Sequence, residues 1–359
     1  MKQQPELLLD NLSLETAIDR AINFLWSSQL PDGEFATYLT EKRDTSVEGC
    51  TRTTCYFDSC NYSTALIIYC LSFRETPKVK EMISQGLNFL LSNMVRPGIW
   101  HYYPSKNPYL RAFTSLPDIS DTSCVSFILT KYGISLNNKK LLLANRNQDG
   151  LFSNWLIPSF SMLFTHTGYW FNYRLKYPSA LKWWEIFPTI TKNVIDLEPN
   201  TNLVLYLGEI EETQKAIDYV IDVILKGKEE ESDFYFCSLV FGHYYFISRA
   251  YFNGINRLGV LKEKIISRLE NASYDDPLNA ALAACTLLNF SHLTPTLDKA
   301  ISFLLNTQED SGNWPNIIFY FGSNQKNSWY GSAELTTSFC IEALVRYQQA
   351  KSFLLEVAQ

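Results

Sequence analysis

Histidine is scarce in this chain, and so is charge. Four histidines, His101, His166, His243 and His292, are spread over 359 residues, and charged residues make up only 19%. No Cys–His pairing of the kind that zinc sites use is present. The net charge is −6 and no basic tract stands out, which argues against a nucleic-acid partner. The opening stretch, MKQQPELLLDNLSLE, lacks the apolar core of a signal peptide. The longest aromatic run, 234–252, is broken by Gly242, His243 and Arg249 and is too polar to span a membrane. Strand-type alternation is nearly missing. Eight cysteines (Cys50, Cys55, Cys60, Cys70, Cys124, Cys237, Cys285 and Cys340) are scattered, several on apolar helix faces. They read as reduced core residues of a cytoplasmic protein.

What remains is apolar and rich in rings. Hydrophobic residues are 46% of the chain, with 21 Tyr, 23 Phe and 8 Trp, more aromatic surface than packing alone calls for. Four segments share one shape, an amphipathic helix running into a turn with glycine and an aromatic residue. They are AINFLWSSQLPDGEF (21–35), GLNFLLSNMVRPGIW (86–100), LLLANRNQDGLFSNW (141–155) and AISFLLNTQEDSGNW (300–314). Each precedes a second apolar helical run. Followed along the chain, the 3.6-residue period predicts six helix pairs. First helices are expected near 14–28, 79–93, 135–146, 213–226, 260–271 and 297–307, and second helices near 59–72, 119–132, 201–207, 233–252, 278–290 and 333–347. The third pair is irregular: its Pro- and aromatic-rich stretch between Trp155 and Asn200 has room for an extra helix at 169–175 or 180–187.

Six such hairpins can close into an all-α toroid. The second helices are nearly uncharged in their middles, whereas the first carry charge on one face, so the second helices belong inside. Every inner helix begins with small polar or acidic residues, for example Asp58 and Asn61, Asp118 and Asp121, Asn200 and Asn202, Asp276 and Asn279, Ser332 and Glu334. Helix capping accounts for many of these. In a closed ring the inner N-termini converge on one mouth, giving a cavity with a polar rim and aromatic walls.

The turns built on Gln29, Gly33 and Phe35, on Gln148, Gly150 and Phe152, and on Gln308, Gly312 and Trp314 resemble the Gln–…–Gly–Trp turns of the squalene–hopene cyclase and protein-prenyltransferase superfamily. QEDSGNW (308–314) is the best copy, and WYGSAELTTSFCIEALVRY (329–347) continues it as those repeats do. The resemblance covers nearly the whole chain and implies an (α/α)6 barrel, with 1–359 as a single domain. A second match is LPDISDTSC (116–124), which resembles the Asp–x–Asp–Asp–Thr motif of class II terpene cyclases. Ser120 stands where that motif has its middle aspartate, the usual proton donor. Asp118 or Asp121 must then be the general acid, and of the two Asp121 is favoured, because Asp118, nearest the helix N-terminus, is the better anion. Residues three apart share a helix face, and two close carboxyls in an apolar site cannot both ionise easily.

A protonated carboxyl beside hydrocarbon could start a polyene cyclisation, and rings could stabilise the carbocation. Wall candidates are Trp100, Tyr102, Trp155, Trp170, Tyr244, Trp314 and Trp329, with Tyr103, Phe152, Phe171, Tyr173, Trp183, Trp184, Tyr235, Tyr245 and Tyr330 beside them. A one-barrel chain resembles the monodomain class II cyclases. That implies a meroterpenoid substrate, a linear polyprenyl chain attached to an aromatic acid, and calls for no cofactor and no metal. Arg52, Lys106 and Arg111 lie in loops from which they could hold an anionic head group. The expected location is the cytoplasm, with transient contact with a membrane surface to collect an isoprenoid. The same barrel has other uses. Asp58, Ser59 and Cys60 have the Asp–x–Cys spacing of zinc-dependent prenyltransferases, but no histidine begins the next inner helix. A barrel without the middle aspartate could also be an inactive lipid-binding toroid. No Asp–Asp–x–x–Asp run is present, since Pro277 follows Asp275 and Asp276.

Overall fold

The computed structural model describes residues 11–44, 51–104, 106, 117–156, 162–176, 194–232, 240–321 and 328–357. Trp183, Trp184, Tyr235, Cys50, Cys237, Arg111 and the extra helix expected at 180–187 lie outside these residues.

Among the described residues, six helix pairs are present. The first is α1 (Asn11–Ser28) and α2 (Asn61–Leu71), the second α3 (Pro77–Ser92) and α4 (Ile119–Lys131). The third opens on the short α5 (Lys139–Leu143), passes through α6 (Met162–Thr165) and α7 (Thr167–Lys176), and ends on α8 (Leu197–Leu207). The fourth is α9 (Gln214–Lys226) and α10 (Val240–Phe252), the fifth α11 (Lys262–Glu270) and α12 (Pro277–Asn289), the sixth α13 (Pro295–Thr307) and α14 (Ala333–Val357). The second helices lie inside, and each contacts the next in the order α2, α4, α8, α10, α12, α14, with α14 returning to α2. Every residue of α2 and α8 is buried, and α12 is buried except at Asn279. In α12 the alanines Ala280, Ala281, Ala283 and Ala284 let the flanking helices approach closely. The outer helices bury one stripe each, as α9 does with Ala216, Ile217, Val220, Val223 and Ile224.

The repeated turns are fasteners between hairpins. Gln29 Nε2 donates to Gly33 O within its turn at 3.0 Å and to Met82 O of α3 at 2.9 Å. Gln308 Nε2 does the same to Gly312 O at 2.8 Å and to Ala17 O of α1 at 2.9 Å, so the last hairpin is tied to the first. Gly33 and Gly312 have φ of +92° and +90°. A Cβ on Gly33 would lie 2.1 Å from the Gln85 carbonyl oxygen, and one on Gly312 2.5 Å from that of Arg20. Only glycine meets both demands. The aromatic residue that ends each turn offers its backbone N–H to the inner helix. Phe35 reaches Thr64 Oγ1, Trp100 reaches Thr122 Oγ1, Phe152 reaches Asn200 Oδ1 and Trp314 reaches Thr337 Oγ1, each at 3.1 Å.

One feature departs from the all-helical expectation. Strands β1 (Tyr38–Asp44), β2 (Thr51–Phe57), β3 (Tyr320–Phe321) and β4 (Ser328–Gly331) form an antiparallel sheet in the order β2-β1-β4-β3. It joins the loops of the first and last hairpins, with Tyr38 opposite Gly331. Of the described cysteines, Cys60, Cys70, Cys124, Cys285 and Cys340 are buried free thiols, and Cys55 is an exposed one on β2. Among the described residues no helix is long and apolar enough to cross a membrane.

Candidate active site

A cavity of about 200 Å³, open to solvent on one side, lies where α2, α4 and α8 begin, under the β3–β4 edge of the sheet. It is off the barrel axis: among the described residues, α10, α12 and α14 contribute nothing to its lining. Their part of the interior holds buried, hydrogen-bonded polar side chains. Tyr245 Oη donates to Glu342 Oε2 at 2.8 Å, and Arg346 Nη1 donates to Glu342 Oε1 at 2.9 Å and to Asn289 Oδ1 at 2.6 Å.

Asp118 and Asp121 both line the cavity. Asp118 is the N-cap of α4, and its Oδ1 accepts the Asp121 backbone N–H at 2.7 Å. Asp118 is half-buried, while Asp121 is 3% exposed and its Oδ1 has no hydrogen-bond partner. Burial, then the charge of Asp118 and a contact between the two carboxyls, raises Asp121 well above the ordinary carboxyl range. Burial also lifts Asp118, to about 6, against the opposing pull of the Asp121 side chain and backbone. Both shifts favour the protonated form, and the stronger push is on Asp121.

Ser120 does not leave its position empty of acid. Its Oγ donates to both oxygens of Glu198, at 2.7 and 2.8 Å, and Glu198 reaches the cavity from the first turn of α8. Sequence reasoning missed Glu198 because it started this helix at residue 201. The readable signal was Asp196 as N-cap with Pro199 in the first turn, where proline is tolerated.

The wall is made of tyrosines. Tyr320 and Tyr330 stack with centroids 4.9 Å apart, and Tyr102 meets both edge-on at 6.1 and 5.6 Å. The hydroxyls of Tyr102 and Tyr320 share a hydrogen bond of 2.5 Å, and Tyr62 lies edge-on to Tyr320 at 6.2 Å. Burial pushes the phenols of Tyr62, Tyr102 and Tyr320 well up, which keeps them neutral. Trp155 joins them, held beside Asp118 by the bonds from Ile119 N to Asn154 O and from Leu156 N to Pro117 O.

Of the seven foremost wall candidates, Tyr102 and Trp155 line the cavity and five do not. Trp100 and Trp314 are fully buried in the turns, where their indole N–H groups donate to Leu90 O and Leu304 O of their own outer helices. Tyr244 is engaged away from the cavity with Glu229 and Arg268. Trp170 packs edge-on against Phe171 on α7. Trp329 neighbours Tyr330 on β4, and strand alternation turns it to the other face. Lys106 is not available for a head group: its ammonium pairs with Glu34 at 2.6 Å and with Asp32. The backbone of Arg52 lies on β2, and its side chain is outside the described residues. Cys60 caps α2 with its thiol bonded to the Thr37 and Ser63 hydroxyls. Among the described residues no three His, Cys, Asp or Glu side chains group as metal ligands.

The chain matches no protein-family model and no curated protein by sequence. Its fold does match solved structures. A protein from Actinoplanes aligns at TM-score 0.66 and 11% identity, over 94% of this chain and 99% of that one. The type II terpene cyclase MstE from Scytonema aligns at TM-score 0.62 and 12% identity, over 94% and 99%. An ent-copalyl diphosphate synthase from Streptomyces platensis aligns at TM-score 0.51 and 12% identity, over 80% of this chain and 50% of that one. The chain thus shares the helical fold of these type II terpene cyclases.

Proposed function

We propose that the chain is a class II terpene cyclase, which protonates the terminal alkene of a linear polyprenyl chain carrying a small polar head and lets the carbocation close rings within the cavity. The observation that carries this reading is Asp121, a buried carboxyl with one unpartnered oxygen in a cavity walled by tyrosines. Asp118 acts through it. Sitting at the N-terminus of α4, Asp118 is stabilised as an anion by the helix dipole and by the Asp121 N–H, and its charge keeps the proton on Asp121. In the first step the alkene π pair takes that proton and forms a C–H bond, leaving an Asp121 carboxylate and a tertiary cation. The ring faces of Tyr62, Tyr102, Tyr320 and Tyr330 offer electron density, each worth roughly 0.5–2 kcal/mol to a cation. Substrate and product are isomers, because the proton gained is lost again at the end.

The shared fold agrees with this chemistry. MstE has been solved with geranylgeranyl dihydroxybenzoate as substrate and with merosterolic acid A as product. A prenylated aromatic acid is therefore the first substrate class to offer. The test is to incubate the purified chain with farnesylated and geranylgeranylated benzoates and look by mass spectrometry and NMR for products of unchanged mass. Asp121→Asn should lower turnover by about 10²–10⁴-fold with the helical circular dichroism retained. A folded Asp121→Asn variant that cyclises at the wild-type rate would sink the proposal.

A further inference from the structure

A third carboxylate shares the cavity with the proposed acid, and its surroundings are of the opposite kind. Glu198 is 1% exposed, yet it lines the cavity. Its oxygens accept from Tyr62 Oη at 2.5 Å, from Ser120 Oγ at 2.7 and 2.8 Å, and from Asn202 Nδ2. Donors in this number favour the charged form of a carboxyl group. Behind it, the side-chain oxygen of Asn202 accepts from the guanidinium of Arg249, a buried cation that balances the buried charge. Asp121 has no such donors on its Oδ1, which points to an occupant the protein does not supply. One cavity thus holds a carboxyl with an unpartnered oxygen and another gripped by three donor side chains. Both line the same cavity, and Ser120, which grips Glu198, is the chain neighbour of Asp121.

We infer that Glu198 is the base that ends the reaction, and that its place beside the acid stops the cascade after the first ring. This rests on the cyclase reading above. The electron count closes. The Asp121 O–H bond breaks and its proton joins the terminal alkene. The π pair of a nearby alkene closes one ring and leaves a cation within that ring. A C–H bond next to the cation then breaks, its pair becomes the new C=C, and the proton passes to a Glu198 oxygen. Water at the open side of the cavity takes that proton and returns one to Asp121. A cation that travelled along several isoprene units would move away from Glu198. A base next to the starting point removes the proton first, and an anion there also favours the first cation over later ones.

The experiment is product analysis from farnesylated and geranylgeranylated benzoates in D2O. The active wild-type chain should give a monocyclic alkene carrying one deuterium at the protonated terminus. In Glu198→Gln the monocyclic alkene should fall by more than about tenfold relative to products with more rings or an added hydroxyl, with substrate consumption falling less. Glu198→Asp should restore part of the monocyclic alkene, which a merely structural role would not do selectively. Should Glu198→Gln fail to fold, Ser120→Ala removes two of the bonds to Glu198 and should shift products in the same direction. A polycyclic wild-type product, or an unchanged product mixture in the folded variants, overturns this inference and leaves the cyclase reading standing. A wild-type chain inert toward every prenyl substrate overturns both.

Discussion

The two halves of the barrel interior use aromatic rings in opposite ways. In the half around α10, α12 and α14, several ring faces meet a cation that belongs to the protein. The Arg249 guanidinium lies 5.2 Å from the ring centres of Tyr69 and Phe246 and 5.7 Å from that of Tyr245. Arg346 lies 4.7 Å from Phe73 and 4.4 Å from Phe252. In the open half, Tyr62, Tyr102, Tyr320 and Tyr330 line a cavity that, among the described residues, no lysine or arginine lines. Its charged groups are Asp118, Asp121 and Glu198. The same kind of wall carries resident cations on one side and, among the described residues, none on the other. Ring content alone therefore does not define the site; what distinguishes it is electron-rich surface with no resident cation.

Three measurements would break or sharpen that contrast. The largest effect is expected in the half with resident cations. Arg346→Met leaves Glu342 buried without its ion-pair partner, which should lower stability by about 3–5 kcal/mol in urea denaturation. The products made by the surviving folded fraction should not change, and a changed product pattern would mean that the two halves are not separate in function.

The second measurement is pH. The proposed acid works only when protonated, so activity should be flat at low pH and fall about tenfold per unit once pH exceeds the raised value of Asp121. Stability has the same sign. A carboxyl lifted by folding contributes stability that is fully present below the unfolded value of about 3.9. That contribution is lost as pH rises through the folded value, which for Asp118 is about 6. Asp118→Asn should remove the part of the decline that lies in this window, and thermal melts across it are the check. A decline that persists in full would assign it to other groups.

The smallest effect is at a single ring. Tyr330→Phe keeps the face and Tyr330→Leu removes it. The leucine variant should lose roughly 0.5–2 kcal/mol of cation stabilisation, a fall of a few-fold to about thirtyfold in turnover, while the phenylalanine variant stays near wild type. Equal losses in both would place the contribution in the hydroxyl rather than in the π face.

The inner and outer helices were legible in the sequence because burial writes itself directly into composition. A helix packed on all sides, such as α12, has no room for charge, and α9 shows its single buried stripe at helical spacing. The sheet was not legible. β1 reads YLTEKRD, which has too much charge for an alternating strand, and β3 is two residues long, so both depend on pairing across the closed ring. Asp118 and Asp121 were found because they start an inner helix and because LPDISDTSC (116–124) resembles the Asp–x–Asp–Asp–Thr motif. Glu198 was not, because its link to Ser120 runs between helices 78 positions apart in the chain. The tryptophans misled for a physical reason. An indole that pins a turn and one that lines a cavity both follow a glycine, and only the destination of the N–H separates them. Recurrence at corner after corner was the clue that Trp100 and Trp314 serve the scaffold.

The bonds from Gln308 to α1, with the seat of Gly312 against Arg20, carry a consequence for how the molecule is born. On the ribosome, domains form from the N-terminus onward, but here the first hairpin waits for the last. Until residues near 314 have emerged, α1 lacks its neighbour on one flank, and β1 lacks β4. The pocket's roof at Tyr320 and Tyr330 comes later still than its carboxyls, so these stand uncovered until the last hairpin arrives. A nascent chain stalled two-thirds of the way would expose an unsealed greasy trough.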